Sequence, residues 1–270
     1  MKDASDYIKL NKATWNDKVD VHMASAFYDM EAFLQGKTTL NDIELTLLGD
    51  ISGKKILHLQ CHFGQDSLSL ARMGAQVTGV DLSDKAIERA REINEKLGLD
   101  TTFVCCDIYD LPNHLDEKFD IVFTSYGTIG WFPDLDKWAK IVSHFLKPEG
   151  KFVFAEFHPV VWMFDNDFKE VFYNYFNIEP ILEEAEGTYA NKEAALNTTT
   201  ITWNHPISEV LNALISNGLA INCFNEFDYS PYNCFNQTEE FDSEGSEKKF
   251  RIKHLENKIP MVYSLSATKK

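Results

Sequence analysis

No apolar run in this chain approaches the roughly 20 residues that a membrane-spanning helix requires. The polar start Met1-Lys2-Asp3-Ala4-Ser5-Asp6 is not followed by the apolar stretch of a secretory signal. We therefore expect no membrane partner and a cytoplasmic location. Cysteine is sparse: five residues, an odd number, with no CxxC pair. That argues against a disulfide framework and fits free thiols in a reducing compartment. His62, Cys61 and Asp66 are close in the chain, but their spacing follows no ligand pattern, so no metal is expected. Basic residues are in deficit, 26 Lys and Arg against 42 Asp and Glu, for a formal net charge of −16. A nucleic-acid groove is not expected on that balance. Internal repeats, low-complexity tracts and a GxGxxG turn are missing as well.

What remains is ample for a packed core. The chain has 270 residues, 44% of them hydrophobic, enough for one large α/β domain. It is organised around residues 55–82. The spacing there predicts a strand at 56–59, a turn ending at Gly64, a short helix, and a second strand at 76–80 that stops on Asp81. A β-α-β unit of this kind aims a helix N-terminus at a ligand and holds an acid beside it. Asp81 follows Gln60 by about 20 positions, the interval that brings an acid within reach of a ribose diol.

Upstream, residues 1–50 read as a helical cap. Trp15, Val19, His22, Met23 and Ala26 recur at helical spacing, as do Leu40, Ile43, Leu47 and Leu48, with Gly36 between the sets. Trp15, His22 and Tyr28 serve either as helix packing with satisfied polar tips or as lining for a substrate. Downstream, Ser83 is placed to cap a helix over 84–97 with a buried stripe of Ala86, Ile87, Ala90, Ile93 and Leu97 and a stop at Gly98. Strands are expected at 102–106, 119–124 and 151–157. A helix on Leu135, Trp138, Ile141, Val142 and Phe145 ends before Lys147-Pro148-Glu149-Gly150. Strands alternating with helices predict a parallel, doubly wound sheet. The pattern breaks over 159–205, which is rich in aromatic residues and too long for a plain loop; a lid or substrate insert is expected there. A helix over 207–217 and strands over 219–229 and 261–267 follow, the strands separated by a polar surface excursion at about 230–258.

Four runs occur in order on these elements: Leu57-His58-Leu59-Gln60-Cys61-His62-Phe63-Gly64, Val80-Asp81-Leu82-Ser83, Cys106-Asp107-Ile108 and Leu146-Lys147-Pro148-Glu149-Gly150. Together they resemble the motif series of class I S-adenosylmethionine-dependent methyltransferases, over residues 50–158 and more weakly over the last two strands. The resemblance implies a Rossmann-like sheet of about seven strands with the last antiparallel, S-adenosyl-L-methionine as cofactor and a small-molecule acceptor. It implies a single domain: cap 1–50, cofactor-binding core 51–158, lid or substrate insert 159–205, C-terminal helix and strands 206–270. It also implies roles. The backbone around Gln60, Cys61, His62 and Gly64 would pass under the cofactor, with Asp66 and Ser67 adding polar contacts. Asp81 would accept from both ribose hydroxyls. Leu82 would pack on the adenine, and Asp107 would take its amino group, with Cys106 and Ile108 alongside. Ser125 and Tyr126, with Gly127, would flank the sulfonium. The chain departs from the family at three places: Gln60 and His62 stand where its first two glycines would be, and His58 stands where its acid would be. The loop is therefore expected to be shaped differently, or to lend side chains to the methionine end of the cofactor.

Methyl transfer from a sulfonium needs alignment, exclusion of water and in some cases a base. No catalytic triad is expected and none is visible. His158 is the first candidate base, because ligands sit outside the carboxyl ends of strands in such sheets. As the residue before Pro159 it also suits a turn. His22 and Glu156 are the other candidates. Trp15, His22, Tyr28, Trp131 and His158 are the candidates to line an acceptor pocket, with plain packing as the alternative. Two other functions stay open: a non-catalytic cofactor-binding or regulatory protein on the same fold, and an NAD-dependent oxidoreductase, which the missing glycine turn opposes. The acceptor's nucleophilic atom and the oligomeric state are written in no motif.

Overall fold

Five parallel strands form the first part of the central sheet in the computed structural model, which describes residues 6–177, 179–241 and 248–270. They are β1 (Lys55–Leu59), β2 (Gln76–Asp81), β3 (Thr102–Cys105), β4 (Phe119–Ser125) and β5 (Leu146–Phe157). Beyond them the chain forms an antiparallel ribbon, β6 (Ile181–Glu186) with β7 (Asn197–Thr202), then β8 (Leu219–Phe227), a hairpin of β9 (Thr238–Phe241) with β10 (Lys249–Ile252), and β11 (Val262–Lys269). The sheet order is β3-β2-β1-β4-β5-β11-β8. β11 runs antiparallel to both neighbours, with Val262 opposite Phe157 on one side and Phe227 on the other. Strand order reverses between β1 and β4, so a crevice opens at their carboxyl ends.

Alternation within the strands divides the core into two layers. Val122, Phe152 and Phe154 face helices α6 (Leu135–Phe145) and α7 (Ile207–Ser216), where Trp138, Phe145, Val210 and Leu214 are buried. Ile121, Phe123 and Val153 face the other way, onto Leu47, Leu48 and Leu70. That face is covered by α3 (Asp42–Leu48), α4 (Gln65–Arg72) and α5 (Asp84–Leu97), with α1 (Tyr7–Met23) and α2 (Met30–Leu34) completing the helical cap. Local rules account for α5 well. The Ser83 hydroxyl accepts from the Ala86 amide at 3.0 Å, and Gly98 closes the helix at φ 63°.

Three expectations need correction. β5 begins at Leu146 rather than 151. Phe119 pairs with Leu146 and Ile121 with Lys151, so Lys147-Pro148-Glu149-Gly150 is a bulge carried within the strand, not a break before it. Proline is tolerated there because a bulged residue has no ladder bond to donate. The third strand ends at Cys105, leaving Cys106 outside it. The stretch at 230–258 is not a purely surface excursion: Phe235, Phe250 and Ile252 are buried, and Phe235 and Ile252 pack with Val161, Phe168 and Met261. Residues 242–247 of it lie outside the described residues. The insert contains the ribbon of β6 and β7, tied to α1 by Asn11, which donates to Ile201 O at 2.8 Å and accepts from the Ile201 amide at 3.0 Å.

Candidate functional site

A cavity of about 1310 Å³ opens at the carboxyl ends of β1 and β4. Its floor is the loop between β1 and α4. Gln60 (φ 56°), His62 (φ 51°) and Gly64 (φ 82°) are all left-handed. Gln and His thus adopt a conformation that glycine would supply without penalty, at a cost of about 1 kcal/mol or more each. Tertiary bonds hold them there. The Cys61 amide donates to Val80 O at 2.9 Å, the Gly64 amide to Cys61 O at 2.9 Å, and the His62 amide to Asp81 Oδ2 at 2.8 Å. The side chains reach outward: Gln60 Nε2 donates to Thr128 O at 2.8 Å, and His62 Nε2 lies 3.0 Å from His22 Nδ1. Gly64 has no such latitude, since a Cβ there would stand 2.8 Å from the Phe103 ring.

Asp81 stands at the end of β2 with its carboxylate fixed at both oxygens. Oδ1 accepts from the Ser83 amide and Oδ2 from the His62 amide, each at 2.8 Å. A carboxylate offers about four lone pairs, so two remain, on a residue that lines the cavity. Burial raises its pKa, with the amides of Ser83 and His62 opposing the rise. Asp107 caps the short 3₁₀ turn at Ile108–Asn113 through Oδ1, which accepts from the Tyr109 amide at 3.0 Å. The same residue lines the cavity.

Past β4 the wall is polar. Tyr126 (φ 43°) donates from its hydroxyl to Glu44 Oε2 at 2.8 Å, and the Asn41 amide donates to Glu44 Oε1 at 2.7 Å. Glu44 is fully buried, and burial pushes its carboxyl up to about 8. Asp66 accepts from Thr39 Oγ1 at 2.5 Å and from Ser125 Oγ at 3.3 Å. Glu156 is saturated. It accepts from the amides of Gly127, Thr128 (2.6 Å), Ile129 (3.2 Å) and Phe157 (2.7 Å), and from Thr128 Oγ1 at 3.0 Å. It clamps the turn after β4 and has no lone pair left for a base.

The raised Glu44 pKa has a consequence for stability. The unfolded chain releases this proton near 4.5, while the folded chain keeps it to about 8. The contribution of neutral Glu44 is therefore complete below 4.5 and lost as pH rises through 8. Gln at this position is neutral at every pH. Melting curves of Glu44→Gln and the parent at pH 5 and pH 8 should show the difference moving by several degrees in favour of the variant at the higher pH. An equal difference at both values would place the ionisation elsewhere.

A family profile described as a methyltransferase domain matches residues 50–206. The chain belongs to the methyltransferase domain family. Among curated relatives, the ubiquinone biosynthesis O-methyltransferase of Idiomarina loihiensis is 30% identical over 137 residues, 49% of this chain and 56% of that protein. The chain thus spans about half the length of the curated relatives it matches. Among solved structures, an S-adenosylmethionine-dependent methyltransferase from Mesorhizobium loti aligns with TM-score 0.55 at 22% identity, over 87% of this chain and all of that one. DhpI, solved as a complex with SAH, aligns with TM-score 0.56 at 15% identity over 98% of each chain. The seven-stranded sheet with antiparallel β11 is the class I Rossmann-like architecture of these neighbours.

The cavity gathers most of the residues singled out from the sequence. Gln60, Cys61, His62, Gly64, Asp66, Asp81, Leu82, Asp107, Ile108, Ser125 and Tyr126 line it, together with Trp15, Tyr28 and Trp131. Four residues stand elsewhere. Ser67 is fully buried, its hydroxyl 2.8 Å from His58 Nδ1. Cys106 packs into the core beneath the 3₁₀ turn. His22 lies behind His62 rather than on the cavity wall. His158 turns away: its amide donates to Met261 O at 2.9 Å, its Nδ1 accepts from Val160, and its Nε2 is 3.1 Å from Glu226 on β8. The turn at Pro159 and the Glu226 carboxylate fix the ring outside the cavity, so the position at a strand end does not make it a base. Glu44 and Tyr232, the latter lining the cavity with its hydroxyl accepting from Asn41 Nδ2 at 2.8 Å, were not foreseen. For Glu44 a signal existed, a lone acid inside the apolar stripe of Leu40, Ile43 and Leu47.

Among the described residues, no helix is long and apolar enough to cross a membrane, and no cluster of His, Cys, Asp and Glu could hold a metal ion.

Proposed function

We propose that this protein transfers a methyl group from S-adenosyl-L-methionine to a small-molecule acceptor, with the acceptor oxygen, the methyl carbon and the sulfur in line. The observation that carries the reading is the Asp81 carboxylate, pinned by two amides and keeping two lone pairs for a diol. The floor loop supports it, because the backbone keeps a glycine-like path despite Gln60 and His62. Gln60 Oε1 and His62 Nδ1 are buried without a partner, as fits side chains that await a polar ligand.

The cofactor would supply a methyl already activated by positive sulfur. The chain supplies the rest. Asp81 and Asp107 would hold the nucleoside end, with Leu82 and Ile108 against its base. Ser125 and Tyr126 would border the reacting centre. Trp15, Trp131 and Tyr28 would keep water out, which strengthens every polar contact inside. Tyr126 Oη, hydrogen-bonded to the neutral Glu44 carboxyl, would help to orient the acceptor hydroxyl. An oxygen acceptor is favoured by the relative named for O-methyl transfer.

Incubation with methyl-labelled S-adenosylmethionine and a panel of hydroxylated aromatic compounds tests the reading. Label should appear in one product with an equal yield of S-adenosylhomocysteine. Cofactor binding without transfer across the panel would leave a binding protein and remove the enzymatic reading.

A further inference from the structure

Asp66, in the first turn of α4, lines the cavity without a counter-charge. Thr39 Oγ1 donates to its Oδ1 at 2.5 Å and Ser125 Oγ to its Oδ2 at 3.3 Å. A carboxylate accepts about four bonds, so about half of that capacity is unused. Among the described residues no basic side chain pairs with it. The lysines of the cavity wall are engaged elsewhere: Lys37 with Asp29 at 3.4 Å, Lys248 with Glu240 at 2.9 Å, and Lys18 over the Trp15 ring at 4.9 Å. Burial raises the Asp66 pKa, and only the two hydroxyls oppose the rise. A buried charge is costly until it is paired, and a cation beside it would relieve that cost.

The rings around Asp66 suit the same kind of ligand. Tyr28, Tyr126 and Tyr232 line the cavity, and each is pushed up by burial and further by the charge of Asp66. Each is also tied to a neighbour of Asp66 or of its partners. Gln65 Nε2 donates to Tyr28 O at 2.8 Å, Tyr126 follows Ser125, and Tyr232 accepts from Asn41, two residues beyond Thr39. Tyr126 and Tyr232 meet edge to face at 5.1 Å, and Phe27 bridges Tyr232 to Tyr28 at 5.7 and 5.1 Å. The hydroxyls are already engaged, Tyr126 with Glu44, Tyr28 with Tyr189 and Tyr232 with Asn41. What these tyrosines add to the wall is ring surface, which attracts a cation. Packing alone would account for the rings, but not for an unpaired carboxylate set among them.

Glu44 fixes where the charge resides. Burial raises its pKa to about 8, with the Asp66 charge adding to the rise. Two neighbouring acids in a buried site do not both ionise readily, so the proton stays on Glu44 at neutral pH and the charge on Asp66. The net charge of −16 gives the whole chain a field that draws cations inward.

We propose that Asp66 and the rings of Tyr28, Tyr126 and Tyr232 seat an ammonium group of the acceptor. The inference rests on the methyl-transfer reading above and narrows its acceptor to hydroxylated compounds that also carry a basic amine. A protonated nitrogen has no lone pair for a methyl group, so the ammonium anchors the acceptor while its oxygen receives the methyl. Calorimetry on the full chain saturated with S-adenosylhomocysteine tests this with tyramine and with 4-propylphenol, in which a methyl replaces the ammonium. Tyramine should bind about tenfold more tightly or better, and Asp66→Asn should bring the two affinities together. Asp66→Ser serves if the Asn variant melts early. Equal affinities in the parent, binding of neither phenol, or a preference that survives loss of the carboxylate would each overturn the inference. The sulfonium of the cofactor is the competing cation. If Asp66→Asn weakens S-adenosylmethionine relative to S-adenosylhomocysteine and leaves tyramine unchanged, the charge serves the cofactor and the inference falls. A parent protein that binds neither cofactor form removes the methyl-transfer reading instead, and the two phenols titrated without cofactor then decide the role of Asp66.

Discussion

Replacing Asp81 by Ala should weaken S-adenosylhomocysteine binding about 100-fold or more. Two hydroxyl bonds to a charged acceptor are worth about 3 kcal/mol together. The same change strips the His62 amide of its acceptor, and that bond helps to hold His62 at a positive φ. The loop should loosen and the melting temperature fall by a few degrees. Asp81→Asn should recover little of the affinity. Its amide nitrogen would face either the His62 or the Ser83 N–H, donor against donor, so the side chain could not serve both amides and a diol. Calorimetry on both variants checks this. An Asn variant that binds like the parent would mean that the carboxylate serves the loop and not a ligand.

Glu156→Ala should cost about 4 kcal/mol of stability, or about 10 °C in melting temperature for a chain of this size. Four buried amides and one hydroxyl lose their only carboxylate, and each orphaned group is costly. The damage should spread to the floor loop. Glu156 clamps Thr128, and Thr128 O is the acceptor for Gln60. Glu156→Gln keeps one oxygen and should fall between the two. Thermal melts check the series. A loss below about 1 kcal/mol would show that the turn after β4 stands without its clamp.

The legible part of this chain is the part where local rules and the fold agree. Ser83, the stripe from Ala86 to Leu97, and Gly98 define α5 because cap, period and stop coincide. Asp81 and Asp107 were placed by their positions at strand ends, and both reach the cavity wall. The floor loop was harder, because its shape is set by bonds to Asp81, Val80 and Thr128 from other elements. Residue types alone left two outcomes open, a differently shaped loop or side chains lent to the cofactor, and the backbone keeps the left-handed path that glycines would take. His158 illustrates another limit: sequence places a residue at a strand end but not the direction of its ring, which Glu226 and Met261 decide from distant strands. Glu44 stands as an acid inside the stripe of Leu40, Ile43 and Leu47, but its neutral state follows only from the burial that the fold imposes.

The cofactor reading of the cavity faces its most direct test in a calorimetric titration of S-adenosylhomocysteine into the folded, full-length protein. The expected result is saturable binding at a single site with a micromolar Kd. The absence of heat, together with no displacement of a fluorescent adenosine analogue at millimolar ligand, would contradict it.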